Sequence, residues 1–319
     1  MKIIITGING FVAPYFLELL NSLPDKWTVL GLGRSEVAFD RKRFPNLDID
    51  YIKVDLLNRE HVGEILRNFR PRYLLHLASF SSVGHSWKFP NDSFVNNTNI
   101  FLNLVDQIRQ LKIPCRILSI GSSEEYGNVD PSTLPLTESS VLHPISPYAV
   151  ARVSQEMISK IYADGYGMDI IMTRSFNHIG PGQKSVFVVS SFAKQLVNIA
   201  RDPETEKKVT TGDLSIIRDF VDVRDVVRAY YMLLKHGRKG EVYNICSGKG
   251  ISLQAIIGKM CALLNIDIRL ETDPALIRPN DNKIIIGSPE KINKELHWYP
   301  EIEIDTCLQD IIQWWQTHE

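Results

Sequence analysis

At 319 residues the chain is longer than most single compact domains, which predicts one large domain or two intimately joined ones. Apolar residues make up 44% and charged residues 23%, an ordinary globular composition, and a formal net charge of −1 gives no electrostatic reason to expect nucleic acid or an anionic membrane as partner. The opening Met1–Gly7 run is too brief for a signal peptide, no stretch approaches a transmembrane helix, and Cys115, Cys246, Cys261 and Cys307 have neither metal-ligand nor disulfide-framework spacing. A cytoplasmic protein with reduced cysteines and no metal is expected.

The first half alternates apolar strands with amphipathic helices. Strands are predicted over Lys2–Thr6, Thr28–Gly33, Tyr51–Val54, Tyr73–Leu77, Cys115–Ile120 and Asp169–Ser175. Helices are predicted between them, over Val12–Leu23, Arg59–Phe69, Phe94–Leu111 and Pro147–Tyr162. Strands of Ile, Val and Leu with little alternation suit a parallel sheet covered on both faces, and the βα alternation points to an α/β, doubly wound fold.

After Gly180-Pro-Gly the pattern changes. A helix is expected near Val189–Arg201, a short strand at Val209–Thr211, a helix at Val223–Lys235, and a buried strand at Glu241–Cys246 that returns to the first sheet. From residue 251 a smaller α/β piece follows, punctuated by Pro274, Pro279, Pro289 and Pro300. The expected organisation is a dinucleotide-binding domain over 1–180 and 219–247, interleaved with a substrate lobe over 181–218 and 248–319.

The run from Thr6 to Ala13 links the first strand to the first helix. Gly7 permits a tight turn, Gly10 lets backbone approach a pyrophosphate, Ala13 keeps helix close to sheet, and Pro14 sits in the first turn where a missing N–H breaks no bond. The helix N-terminus offers free N–H groups to phosphate, with Asn9, Phe11 and Val12 beside it. The spacing Gly-x-x-Gly-x-x-Ala departs from the commoner Gly-x-Gly-x-x-Gly, so its position after the N-terminal strand carries the argument. Arg34 directly follows the second strand, where a NAD site typically places a carboxylate for the ribose 2′-hydroxyl; an arginine there suggests a 2′-phosphate, hence NADP(H) in preference to NAD(H). Asp55, closing the third strand, either accepts from an adenine amino group or caps the next helix.

Tyr148 and Arg152 stand four residues apart, on one face of the predicted helix. A free phenol has a pKa of about 10 and exchanges protons near neutrality only where a nearby cation favours the phenolate. The pair is therefore suited to moving a proton on or off a sugar hydroxyl. A half-buried tyrosine beside a solvated arginine has the same spacing, so the pair alone decides nothing.

Taken together, the phosphate loop, the Ser-Ser element of Gly121–Gly127, and Tyr-x-x-x-basic resemble the extended short-chain dehydrogenases/reductases. More narrowly, the chain resembles the GDP-6-deoxy-4-keto-D-mannose reductases and GDP-mannose 4,6-dehydratases. The stretches Phe176–Gln183, Arg218–Asp225 and Val242–Gly248 carry this, the Asn-His-Ile-Gly-Pro-Gly-Gln run being the most specific. The resemblance implies a Rossmann sheet, with Tyr148 as acid/base and Ser122, beside Ser123, hydrogen-bonding the reacting sugar oxygen. Arg152 stands where the family has lysine, keeping the charge but not the compact ammonium geometry. Cofactor contacts fall by the same resemblance on Leu56, Leu77, Ala78 and Asn97, although Asn97 is also readable as a helix-surface amide. Asn177 is placed near the nucleotide sugar, and Arg218 and Arg278 against its diphosphate, with Lys184 and Lys194 as weaker candidates. His76, His178 and Trp87 are expected to pack or fix loops. Glu124 stands where the family's dehydratases keep the glutamate that removes the C5 proton.

Three functions follow. One is NADPH-dependent reduction of the C4 ketone of a GDP-linked 6-deoxy-4-keto-hexose, yielding GDP-D-rhamnose. Another is a 4,6-dehydratase or epimerase that recycles its cofactor. The third is a cofactor-binding protein with lost catalysis, suggested by Arg152. The family resemblance also implies a homodimer through helices Phe94–Leu111 and Pro147–Tyr162, with Phe94, Phe101, Leu104 and Ile108 as a candidate apolar stripe that faces either a second copy or its own sheet.

Overall fold

The computed structural model describes residues 1–37, 40–202, 204–277 and 280–318. Its first half runs β1 (Lys2–Thr6), α1 (Val12–Ser22), β2 (Trp27–Gly33), β3 (Leu47–Lys53), α2 (Arg59–Phe69), β4 (Tyr73–His76), α3 (Val83–Lys88), α4 (Pro90–Ser93), α5 (Ile100–Gln110), β5 (Arg116–Ser122), α6 (Pro147–Asp164) and β6 (Asp169–Ser175). There follow β7 (Asn177–Ile179), α7 (Val188–Arg201), β8 (Lys208–Thr211), β9 (Ile217–Asp222), α8 (Val223–His236), β10 (Val242–Ile245), β11 (Gly250–Ser252), α9 (Leu253–Leu264), β12 (Arg269–Thr272), β13 (Ile284–Ile285), α10 (Glu290–Leu296) and α11 (Ile304–His318).

Seven strands form one sheet in the order β10-β6-β5-β4-β1-β2-β3, parallel throughout. The doubly wound fold expected from the sequence is the fold found. The near-continuous apolar strands have a direct cause. Ile3 and Ile5 of β1 enter the core under α1 and α8, while Ile4 enters the core under α2 and α5. Leu74 and Leu75 of β4, Ile117 and Leu118 of β5, and Ile170 and Ile171 of β6 divide the same way. Each face is covered, so neither parity of side chain is left for water.

The helices begin where capping chemistry permits. Asn58 caps α2 by accepting from the His61 amide at 3.0 Å, and Ser146 caps α6 by accepting from the Ala149 amide at 3.1 Å. Pro147 follows in the first turn, where its missing N–H is harmless, so Tyr148 sits at the mouth of α6. The helix predicted over Phe94–Leu111 differs in its first part, because Phe94–Asn99 winds as a π-helical turn before α5 begins.

A second sheet gathers β7, β9, β11 and β13, and β8 pairs with β12. α7, α9 and α11 pack a separate core beside it. Asp219 of β9, wholly buried, staples the sheets together. It accepts from the amides of Ser247 (2.7 Å), Gly248 (2.9 Å) and Gly287 (3.3 Å), and from the Ser247 hydroxyl (2.6 Å). Among the described residues no helix is long and apolar enough to cross a membrane, and no group of His, Cys, Asp and Glu is placed to hold a metal.

Candidate active site

The sheet order reverses beside β1, and the carboxyl end of that strand opens the crevice where doubly wound folds take their ligands. Gly7 has φ +70°, and a Cβ on it would lie 2.8 Å from the Ala78 nitrogen and 2.9 Å from the Leu77 carbonyl carbon. Both the turn and the close approach of the two loops therefore require glycine. The Gly10 amide donates to the Gly7 carbonyl at 2.9 Å and closes the turn. α1 begins at Val12 with no side-chain cap and no acidic residue in its first turn. Its leading N–H groups suit a diphosphate, so the loop fits a dinucleotide cofactor.

Around this loop the expected cofactor residues converge. Asn9 donates to the Ser35 hydroxyl (3.0 Å) and the Glu36 carbonyl (2.9 Å), tying the phosphate loop to the segment after β2. Arg34 is exposed, with its guanidinium 5.2 Å from the centre of the Phe80 ring, and among the described residues it pairs with no carboxylate. Phe80 is held in turn by Asn97, whose Oδ1 accepts from the Phe80 amide (2.9 Å) and whose Nδ2 donates to its carbonyl (3.2 Å). Asn97 is fully buried in the π-helical turn and is not a surface amide. Asp55 accepts from the Leu57 amide at 3.0 Å and shapes the loop; the cap of α2 belongs to Asn58. Leu56 is fixed by Asn103, which donates to its carbonyl at 2.6 Å.

On the other side of the crevice, α6 lies along β5. The Arg152 Nε donates to the Tyr148 hydroxyl at 3.2 Å, and its Nη1 donates to the Ile120 carbonyl (2.9 Å) and to Gln155 Oε1 (2.8 Å). Gln155 donates to Ser119 Oγ (2.9 Å) and to the same Ile120 carbonyl (3.1 Å). Arg152 is only 4% exposed, yet among the described residues no carboxylate pairs with it. Nearby His76 is buried, with Nδ1 at 2.9 Å from Thr6 Oγ1. Burial first, then the Arg152 charge, pushes the His76 pKa down to about 3, so this imidazole is neutral.

Ser122 ends β5, and its Oγ accepts from the Glu124 amide at 3.3 Å. Ser123 is buried and Glu124 half-buried on the turn that follows. Asn177, half-buried, starts β7, where His178 stacks on Phe11 with ring centres 6.2 Å apart. Arg218 is buried in β9 and donates to Asp281 Oδ1 at 3.0 Å, so it has a carboxylate partner. Lys184 is exposed, Lys194 lies 5.2 Å from the centre of the Trp315 ring, and Arg278 falls outside the described residues. Gln155 was not anticipated. It stands seven residues after Tyr148 and three after Arg152, and that helical spacing was the available signal.

The family model for GDP-mannose 4,6 dehydratase matches residues 4–311. The chain belongs to the GDP-mannose 4,6-dehydratase family. The GDP-6-deoxy-D-mannose reductase of Pseudomonas aeruginosa is 29% identical over 99% of this chain and 97% of its own length. A GDP-mannose 4,6-dehydratase of Vibrio cholerae is 26% identical over 97% of this chain and 92% of its own. Among solved structures, RMD from Pseudomonas aeruginosa complexed with NADPH superposes with a TM-score of 0.87 at 28% identity, covering 100% of this chain and 99% of that one. The UDP-glucose 4-epimerase of Thermotoga maritima with UDP-glucose has a TM-score of 0.87 at 25% identity, covering 99% of each chain. Family and enzyme class both accord with the expectation from the motifs, and a nicotinamide cofactor fits the crevice.

Proposed function

We propose that this family member is an NADPH-dependent reductase of a nucleotide-activated 6-deoxy-4-keto-hexose, converting GDP-6-deoxy-4-keto-D-mannose to GDP-D-rhamnose. The observation that carries the reading is the 3.2 Å contact between the Tyr148 hydroxyl and Arg152, a buried cation with no carboxylate partner among the described residues. Bound nicotinamide supplies the hydride that reaches C4. Tyr148 gives its proton to the oxygen at C4 as negative charge develops there, and Ser122 Oγ donates a hydrogen bond to the same oxygen. The phenolate left on Tyr148 is stabilised by Arg152, whose position is fixed by the Ile120 carbonyl and Gln155. The similarity to the Pseudomonas reductase over nearly the whole chain supports this reading, and the nucleotide sugar is assigned to the lobe over 181–218 and 248–319.

Glu124 favours a second reading. Half-buried beside Ser123, it is suited to take a proton from C5, as the 4,6-dehydratase resemblance implies, in which case the cofactor is recycled and not consumed. Incubation with GDP-mannose and with GDP-4-keto-6-deoxy-mannose separates the two readings. Following NADPH absorbance and identifying products by NMR, we expect stoichiometric NADPH loss with the ketone and none with GDP-mannose. Conversion of GDP-mannose to the 4-keto sugar without net NADPH loss would establish the dehydratase instead.

The exposed Arg34, free of any carboxylate among the described residues, is assigned to the 2′-phosphate. Arg34→Ala is expected to weaken NADPH at least about tenfold while leaving NADH within about threefold, since a charge-assisted bond to the phosphate contributes about 1.5–3 kcal/mol. Equal losses on titrating the two cofactors would show that Arg34 does not read the phosphate.

Free thiols at all four cysteines fit a reducing, cytoplasmic compartment. A homodimer is assigned to the face carrying Phe94, Leu102, Val150, Met157 and Ile161, all exposed apolar residues of the π-helical turn, α5 and α6. Phe101, Leu104 and Ile108, from the stripe considered in the sequence, pack instead against the chain's own sheet. Light scattering is expected to return twice the 36.3 kDa chain mass at micromolar concentration, and the monomer mass would reject the dimer.

A further inference from the structure

Glu125 lies wholly buried on the turn directly after Ser122, Ser123 and Glu124. Its Oε1 accepts from the Ser122 amide at 2.6 Å. A Cβ at Gly121 would come within 2.4 Å of that oxygen, so the carboxyl is packed hard against the end of β5. Among the described residues its Oε2 meets no donor. Glu156 of α6 lies within hydrogen-bonding reach of the Glu125 carboxyl, and the charge of Arg174 of β6 is felt there as well.

Arg174 engages Glu156 in a bidentate pair, Nε to Oε2 at 2.9 Å and Nη2 to Oε1 at 2.7 Å, with both side chains almost fully buried. Tyr126 on the same turn as Glu125 lies under this guanidinium, its ring centre 4.9 Å away, and the Glu138 carbonyl takes the remaining Nη1 at 3.1 Å. Arg174 is therefore committed to Glu156. A second ionised carboxylate beside that pair would add an uncompensated buried charge, whereas a carboxylic acid would donate its proton to Glu156. Burial and the Glu156 charge both hold the Glu125 carboxyl well above the usual carboxylate range, against the pull of the Ser122 amide and Arg174.

Glu156 is four residues beyond Arg152 and eight beyond Tyr148, on the same face of α6. A contact between Glu125 and Glu156 thus couples the strand end that carries Ser122 to the helix that carries Tyr148. We propose that Glu125 is a positioning residue, a neutral carboxylic acid that accepts from the Ser122 amide and donates to Glu156, holding Ser122 in register with Tyr148. This rests on the reading of Ser122 and Tyr148 as the pair that meets the reacting oxygen.

Two substitutions in the full-length enzyme test it. Glu125→Gln keeps an oxygen for the Ser122 amide and an N–H for Glu156, and cannot ionise. It is expected to retain kcat within about twofold near neutral pH, whereas Glu125→Leu, which fills the space but cuts both bonds, is expected to lower kcat at least about tenfold with KM and NADPH affinity within about threefold. The melting temperature supplies a readout that needs no substrate. Because the folded-state pKa of Glu125 is raised, its contribution to stability is full at acid pH and is lost as pH rises through that pKa. The melting temperature of Glu125→Gln relative to wild type should therefore climb as pH rises from the ordinary carboxylate range to the folded-state pKa and level off above it. A flat difference, or a Gln variant as impaired in kcat as the Leu variant, overturns the neutral bridge, and full kcat in the Leu variant overturns its positioning role. Wild type inert towards every 4-keto nucleotide sugar would instead overturn the functional reading, while the melting comparison still decides the state of Glu125.

Discussion

A guanidinium withdrawn from water, with no carboxylate of the described chain to cancel it, is the constraint around which this site is organised. Burying such a charge costs several kcal/mol unless its donors are satisfied. Arg152 meets that demand with the Ile120 carbonyl, the Gln155 amide oxygen and the Tyr148 hydroxyl. Because these acceptors are neutral, the positive charge is not spent on an internal ion pair. It stands beside the Tyr148 hydroxyl and acts on the neighbouring His76, which it helps keep neutral. The contrast with Arg174, locked onto Glu156 by two short bonds, is instructive: two buried arginines twenty-two positions apart in sequence have opposite electrostatic roles.

The sheet supplies the geometry that this arrangement needs. α6 is drawn along β5 by Gln155 and by Ser159, whose hydroxyl meets Ser119 Oγ at 3.0 Å, so the tyrosine-bearing helix and the serine-bearing strand share a polar seam. The π-helical turn at Phe94–Asn99 serves the adjoining wall. From it Asn97 clamps the backbone of Phe80, and Thr98 donates to the Ala151 carbonyl at 2.9 Å. Asn103, further along α5, holds Leu56. One helical segment thereby references the loops after β3 and β4 to α6, an irregularity of the kind often found at functional sites.

The parallel sheet was legible because both parities of each inner strand are buried, which writes the fold into the sequence as Ile-, Val- and Leu-rich runs. The phosphate loop was legible for a similar reason, since Gly7 answers a local backbone demand. The π-helical turn was not, because a shift in backbone hydrogen bonding leaves the apolar spacing of Phe94–Leu111 almost unchanged. Nor were the polar members of the core. Gln155, Glu125 and Glu156 look like solvated positions in a linear reading, and only the approach of α6 to β5 and β6 takes them out of water. Arg152 shows the same limit. Its spacing from Tyr148 is visible in sequence, but its bond to Ile120, thirty-two residues earlier, depends on tertiary packing.

In the proposed reaction, the uncancelled charge of Arg152 is what makes Tyr148 a usable proton donor. The most direct test is the single-turnover rate of NADPH oxidation by the 4-keto nucleotide sugar in wild type, Arg152→Lys and Arg152→Met. Turnover is expected to be retained with lysine, which keeps the charge, and to fall at least about a hundredfold with methionine, the scale typical of disabling general acid catalysis. A methionine variant that reacts at the wild-type rate would contradict this role of the charge.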